Sequence, residues 1–251
     1  MTRLGFIGTG HLASFFVEGL ARARADYDIM VSPRNTAKAE DLRRRFGVAI
    51  AENQAIASGC DVVVVSVLPK DAAAVLSGLR FRAGQIVLSV MAGISLAEVA
   101  ALTAPAEAAI SMMPGHANAL NMGPSALYPD IPAVRALLEK LGPVHAYGDE
   151  GSFTTASVMG AFSGMSILMM GDVAAWFESR GLDAGEARRL VAETLRGNAA
   201  MLLETSLPLP EVARGVVTPG GITEQGRKIL EGGGSWADAL DSVLKRVSTR
   251  S

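Results

Sequence analysis

The chain has 251 residues, with 23 lysines and arginines against 25 aspartates and glutamates and a formal net charge of −2. That length buries a sizeable core and suits one large domain or two smaller ones, while mixed charges near neutrality leave no basic footprint for nucleic acid. A single cysteine, Cys60, excludes an internal disulfide framework, and the scattered His11, His116 and His145 form no metal-ligand spacing, so no metal is expected.

The first apolar run, Leu4–Ile7, enters Gly8-Thr9-Gly10 and leaves through His11, Leu12 and Ala13 into a helix expected over residues 11–24. Such a strand-turn-helix suits a nucleotide pyrophosphate. Gly8 takes a tight turn, Gly10 has no side chain to hold a phosphate away, and the free N–H groups at the helix start favour an anion. Because a strand begins almost at once, no charged-then-apolar leader is seen and a cytoplasmic protein is expected.

Further strands are expected at Asp28–Val31, Asp61–Ser66, Ile86–Ser89, Ala108–Met112, Ser125–Tyr128 and Val144–Tyr147, with helices between them over 35–46, 70–78, 95–103 and 131–141. Val62-Val63-Val64-Val65 is continuous rather than alternating, as in a central strand covered on both faces. Asn35 and Ser95 suit helix caps, the latter with Glu98 three residues on. Cys60, ahead of the valine run and without a motif partner, reads as an inert buried thiol. Together these elements predict a Rossmann-type doubly wound parallel sheet over residues 1–148, followed over residues 149–251 by a domain of helices alone.

At the end of the second strand an acid would bind a ribose 2′-hydroxyl and repel a 2′-phosphate. The chain has none there: it reads Val31-Ser32-Pro33-Arg34-Asn35. Ser32, Arg34 and Asn35 therefore point to NADP rather than NAD, with an exposed loop cation as the alternative reading of Arg34. Val67, Leu68 and Pro69, and then Ala92 and Gly93, lie at later strand ends, where ligands of such sheets bind.

After Gly148 helices are expected over 152–180, 183–205, 208–214, 221–231 and 235–248. The apolar stretch Met159–Phe177 carries Ser163, Ser166, Asp172 and several glycines, and is read as a helix buried in a core or between subunits rather than in a membrane.

The run Val217-Thr218-Pro219-Gly220-Gly221-Ile222-Thr223, preceded by Gly197–Leu203 and followed by Glu231, resembles the serine-proline-glycine-glycine-threonine-threonine segment of the pyrroline-5-carboxylate reductase family. Ser66–Pro69 and Ala92–Ser95 are similar to further family segments, and the likeness extends over nearly the whole chain. It implies a dinucleotide domain, a helical domain that dimerises by interlocking with its partner, an active site shared between subunits, and reduction of a carboxylated cyclic imine by NADPH. The specific expectation is conversion of 1-pyrroline-5-carboxylate to L-proline.

On that basis Pro219, Gly220, Gly221, Glu224 and Met113 are expected at the substrate, with Thr223 offering a hydroxyl to the ring nitrogen. Two segments depart from the family pattern. Ser111-Met112-Met113-Pro114-Gly115-His116-Ala117 keeps the methionine-proline pair but loses the surrounding arginine and asparagine, and Met159–Gly164 replaces a serine-glycine-serine-glycine-proline run. His116 adds a titratable group there and is a catalytic candidate or a loop histidine. Two other readings stand beside imine reduction. One is a hydroxyacid-type dehydrogenase using Lys228, and the other a dinucleotide-binding regulatory protein without catalysis.

Overall fold

The computed structural model describes residues 1–249. Two compact units divide between Ser163 and Gly164.

The first unit is built on one eight-stranded sheet. Its strands are β1 (Thr2–Ile7), β2 (Tyr27–Val31), β3 (Ala49–Ile50), β4 (Val62–Val65), β5 (Ile86–Ser89), β6 (Glu107–Met112), β7 (Ser125–Tyr128) and β8 (Val144–Ala146). They lie side by side in the order 3-2-1-4-5-6-7-8. The pairs from β3 through to β6 are parallel. Strand β7 runs antiparallel to β6, and β8 is parallel to β7. The reversal at β7 corrects a purely parallel expectation. Its physical reason is the β6–β7 connection, whose one helix is the four-residue His116–Ala119, too short for a crossover that would restore the strand direction.

Helices α1 (His11–Arg22), α2 (Thr36–Phe46), α3 (Asn53–Gly59), α4 (Ala72–Leu76), α5 (Leu96–Thr103), α6 (His116–Ala119), α7 (Pro132–Leu138) and α8 (Glu150–Ser157) complete this unit. Strand β3 and helices α3 and α6 were not expected, because elements this short carry no readable periodicity. The valine strand divides as its continuous run predicts. Val62 and Val64 join the core formed with Leu4, Phe6, Phe16 and Leu20. Val63 and Val65 join the opposite core with Ile7 and Ile56. Cys60 is fully buried in that second core, and burial pushes its thiol up to about 11, as an inert thiol requires.

The loop after β6 is organised by Asn118, which is fully buried. Its Oδ1 accepts from Gly115 N–H at 3.0 Å, and its Nδ2 donates to the Gly123 carbonyl at 2.7 Å and the Leu141 carbonyl at 3.4 Å. Gly19 of α1 has no side chain because a Cβ would sit 2.5 Å from the Asn118 carbonyl oxygen. Close approach of α1 and α6 thus sets where His116 begins its helix.

Helix α9 (Met159–Ser179) leads into the second unit, followed by α10 (Ala184–Glu204), α11 (Leu209–Val216), α12 (Ile222–Glu231) and α13 (Trp236–Ser248). A turn at Val158 divides the helix expected over 152–180 into α8 and α9. Gly160 lies close to Met112, with Sδ 3.0 Å from where a Cβ would be. Asp183 caps α10, its Oδ1 accepting from Gly185 and Glu186 N–H groups. Trp176 Nε1 donates to Asp241 at 2.8 Å, and Arg180 pairs with the same carboxylate.

Burial distinguishes the second unit sharply from the first. No residue of α9 is buried, and α10 buries only Ala187 and Val191. Phe162 is 65% and Leu168 70% exposed. The expectation of burial in the chain's own core is therefore corrected for α9. The stretch Glu150–Ser179 contains an 18-residue window with a mean hydropathy of 1.5, long and apolar enough by length and composition to cross a membrane.

Replacing Asn118 with alanine strands three buried backbone groups, which costs about 2–3 kcal/mol. Urea unfolding of Asn118→Ala is expected to show that loss at an unchanged slope.

Candidate active site

The strand order reverses between β1 and β4, and a crevice opens there at the carboxyl ends of the strands, where sheets of this design bind ligands. A cavity of about 440 Å³ occupies it, walled by the turns after β1, β2 and β4. Gly8, Gly10, Ser32, Arg34, Asn35, Val67 and Leu68 all line it, so most of the expected cofactor residues come together in one place.

The glycines differ in duty. Gly8 has φ +101°, and a Cβ there would lie 2.8 Å from the Ser66 backbone. Gly10 takes an extended φ of −99°, and a Cβ would meet nothing within 4 Å. Gly8 is required by its own backbone and Gly10 only by what enters the cavity. Gly10 also caps α1 without any side-chain hydrogen bond, leaving the helix start to an anion. Open space and an uncapped helix start fit a dinucleotide pyrophosphate.

Two serine hydroxyls hold the turn. Ser32 Oγ accepts from Gly8 N–H at 2.9 Å, Ser66 Oγ donates to the Gly8 carbonyl at 2.6 Å, and Thr9 Oγ1 donates to the Ser32 carbonyl at 2.6 Å. Ser32 is 1% exposed. Its hydroxyl therefore braces the turn, which corrects the expectation of a free phosphate ligand. Asn35 Oδ1 is likewise engaged, accepting from Lys38 N–H at 3.3 Å to cap α2. Arg34 projects into solvent, its side chain 75% exposed, and pairs with Asp71 at 3.7 Å. Asp71, Thr36, Asn53 and Val75 also line the cavity and were missed. Thr36 and Asn53 open α2 and α3, Asp71 precedes α4 and Val75 lies within it, and none of these positions carries a nucleotide motif in the sequence.

The remaining N-terminal candidates lie outside this cavity. His11 opens α1, with Nδ1 3.3 Å from Lys38 Nζ, and Leu12 packs partly buried on the core. Pro69 is exposed at the start of a short turn. Ala92 is exposed, and Gly93 borders a separate pocket of about 220 Å³ with Ser95, Glu98, Glu150 and Phe153. Ser95 caps α5 in the predicted box with Glu98. Met113 is only 5% exposed and belongs to the core, which corrects its expected side-chain contact with substrate. His116 is exposed, its ring edge-on to Phe15 with centroids 6.2 Å apart.

In the helical unit Pro219-Gly220-Gly221 forms the turn that opens α12. Gly220 has φ +69°, which explains a glycine at that position. Both glycine amides are engaged within the chain. Gly221 N–H donates to the Thr218 carbonyl at 2.8 Å, and Gly220 N–H donates to Glu224 Oε2 at 2.8 Å. That amide, followed by the charge of Lys228, holds the Glu224 carboxyl below its usual range. Lys228 Nζ lies 3.5 Å from Glu224 on an exposed helix face, so its charge is directed to that acid. Arg246 donates to the Gly220 carbonyl. Thr223 is exposed and borders an apolar pocket of about 410 Å³ with Val217, Ile222, Leu230 and Trp236.

A nucleotide crevice at a strand-order reversal, followed by a helical unit, defines the class: an NAD(P)-dependent oxidoreductase. Residues 3–93 match the family model described as NADP oxidoreductase, coenzyme F420-dependent. Residues 153–251 match the one described as pyrroline-5-carboxylate reductase dimerisation. The chain is thus similar over nearly its whole length to pyrroline-5-carboxylate reductases.

Pyrroline-5-carboxylate reductase 1 of Bacillus spizizenii is 28% identical over 99% of this chain and 88% of its own length. The 1-pyrroline-5-carboxylate reductase of Streptococcus pyogenes has the same fold, with a TM-score of 0.81 at 22% identity, covering 99% of this chain and 97% of its own. The Plasmodium falciparum pyrroline carboxylate reductase, solved with NADP bound, also gives 0.81 at 18% identity, covering 97% and 95%.

The two kinds of glycine-turn residue separate in a binding experiment. Gly10→Val is expected to keep the melting temperature within a few degrees yet weaken NADPH binding about tenfold or more, because its Cβ fills only open space. Ser32→Ala is expected to lose about 1–2 kcal/mol in urea unfolding, since it removes the acceptor of the half-buried Gly8 N–H while Thr9 keeps its bond to the residue-32 carbonyl.

Proposed function

We propose that this chain reduces 1-pyrroline-5-carboxylate to L-proline with NADPH, as a cytoplasmic homodimer whose helical domain begins near residue 149. One observation carries the reading: a braced Gly8–Gly10 nucleotide turn and a Pro219-Gly220-Gly221-Ile222-Thr223 turn occur in one chain related over 99% of its length to a pyrroline-5-carboxylate reductase. NADPH is preferred to NADH in this reading because Arg34 stands at the cavity and no acid ends β2.

The chemistry asks little of side-chain acids and bases. A carboxylated cyclic imine is readily protonated near neutrality, which makes the C=N carbon electrophilic. A bound reduced nicotinamide supplies a hydride to that carbon. The C=N π electrons then become the lone pair of a neutral secondary amine, which takes its further proton from solvent. What remains for the protein is alignment and exclusion of water.

Each substrate-side residue has an assigned task in this proposal. Gly220 N–H receives the substrate carboxylate in exchange for Glu224, and Gly221 and Pro219 shape that turn. Thr223 holds the ring nitrogen through its hydroxyl. Met113 supports the loop from within the core, and His116 is the exposed group most able to exchange a proton at that loop.

The helical unit supports self-association on separate grounds. Met165, Ile167 and Leu168 of α9 are each more than half exposed, and contiguous apolar surface of this kind marks an interface. A second copy covers it in our reading, and α9 lies between subunits rather than in a membrane.

Oxidation of NADPH on addition of 1-pyrroline-5-carboxylate, with proline as product, tests the activity directly. Thr223→Ala is expected to lower kcat/KM about 10- to 100-fold. Absence of turnover with this imine, alongside turnover of a six-membered or acyclic one, would move the substrate and keep the class. In sedimentation runs without detergent the protein is expected as a dimer. Leu168→Glu is expected to shift it toward monomer, whereas a detergent requirement would reject the soluble-dimer reading.

A further inference from the structure

Arg34 and Asp71 face each other across the nucleotide crevice. Arg34 follows β2 and Asp71 precedes α4, and Arg34 Nη1 lies 3.7 Å from Asp71 Oδ2. Among the described residues bordering the cavity these two are the only charged ones. The other polar groups on the β2 side are engaged. Ser32 Oγ braces Gly8, Asn35 caps α2, and Thr36 Oγ1 donates to the Pro33 carbonyl at 3.3 Å. An anion arriving on this side meets one lining cation, already partnered by a carboxylate.

We propose that Asp71 sets the selectivity between NADPH and NADH by competing with the cofactor's 2′-phosphate for Arg34. The inference rests on the NADP reading above and adds to it a residue on the opposite wall. A cofactor ending in a 2′-hydroxyl leaves the Arg34–Asp71 pair intact. One carrying a 2′-phosphate draws Arg34 away and sets its own negative charge near the Asp71 carboxylate. The pair is exposed on one side and longer than a hydrogen bond, so it yields at modest cost. Selectivity for NADPH is therefore present but smaller than Arg34 alone would confer.

Asp71 suits mutation because its side chain makes no capping bond to α4. Its carboxylate can be neutralised without removing a cap. Lys38, the next cation along α2, has its ammonium 3.3 Å from His11 Nδ1 at the start of α1, away from this pair's contact.

Calorimetric titration of the full-length protein with 2′,5′-ADP and with 5′-ADP reads this directly, since the ligands differ only in the 2′-phosphate. The wild type is expected to bind 2′,5′-ADP more tightly. Asp71→Asn is expected to raise the ratio of the two affinities about three- to tenfold at low salt, through 2′,5′-ADP alone, with the gain shrinking at high salt. Arg34→Gln is expected to bring the ratio near one whether Asp71 is present or not. An unchanged ratio in Asp71→Asn overturns the proposal. So does a lowered one, which would make Asp71 a residue that orients Arg34 for phosphate. The NADP reading fails separately, if the wild-type ratio is itself near one. A ratio that then rises in Asp71→Asn would still uphold competition by Asp71, and one that stays flat would reject both.

Discussion

The Gly8 peptide is the point on which the nucleotide unit depends. Its N–H is held by a hydroxyl from the end of β2 and its carbonyl by a hydroxyl from the end of β4. A left-handed φ is needed to present both groups to their partners, and the Ser66 backbone leaves no room for a Cβ. Three neighbouring strands are thus joined at their carboxyl ends by two side-chain bonds. Because α1 starts three residues later, the direction in which its free amides point is set by the same contacts. A displaced Gly8 would move the floor of the crevice and the anion-binding helix start together.

That arrangement assigns most anion recognition to backbone rather than to side-chain charge. Amides and a helix dipole tolerate any phosphate, so they recognise a dinucleotide without specifying which one. Discrimination falls to the few side chains on the β2 wall. With Ser32 and Asn35 spent on holding the scaffold, Arg34 alone carries positive charge among the described residues bordering the cavity. Cofactor choice and turn geometry are therefore separable, since one residue can change without disturbing the brace.

Legibility in the sequence followed the strength of local periodicity. The strand at Ile86–Ser89 and the one at Ser125–Tyr128 are read to the residue, and the valine strand's coverage on both faces follows from its unbroken apolar run. Strand β3 has two residues and α6 has four, too few to show any period. The direction of β7 depends on how short its connection is, which only a tertiary contact such as the Asn118 network makes physical. At the site, Gly8 and Gly10 were legible because glycine has few other reasons to recur there. Ser32 was legible as a cavity residue but not in its role, because a hydroxyl beside a phosphate site looks the same whether it faces the ligand or the backbone.

The Gly220 turn shows the same economy in the helical unit. Glu224 is ionised through the neutral range, since its folded-state carboxyl is held below the ordinary value by Gly220 N–H and by Lys228. Its hold on the turn is therefore present above the ordinary carboxylate range and is lost as pH falls through the lowered folded value. At neutral pH the amide is never bare, because a carboxylate of the chain itself occupies it. In the proposed function a carboxylated substrate exchanges one anion for another, so the Gly220 amide is engaged in either state. On that proposal an uncharged imine gains nothing from the exchange, so the turn favours acids, with the Lys228 and Arg246 cations beside it. The nucleotide crevice follows the same logic with Arg34 and Asp71: in both places an internal carboxylate keeps a recognition group engaged, and an anionic ligand must outcompete it.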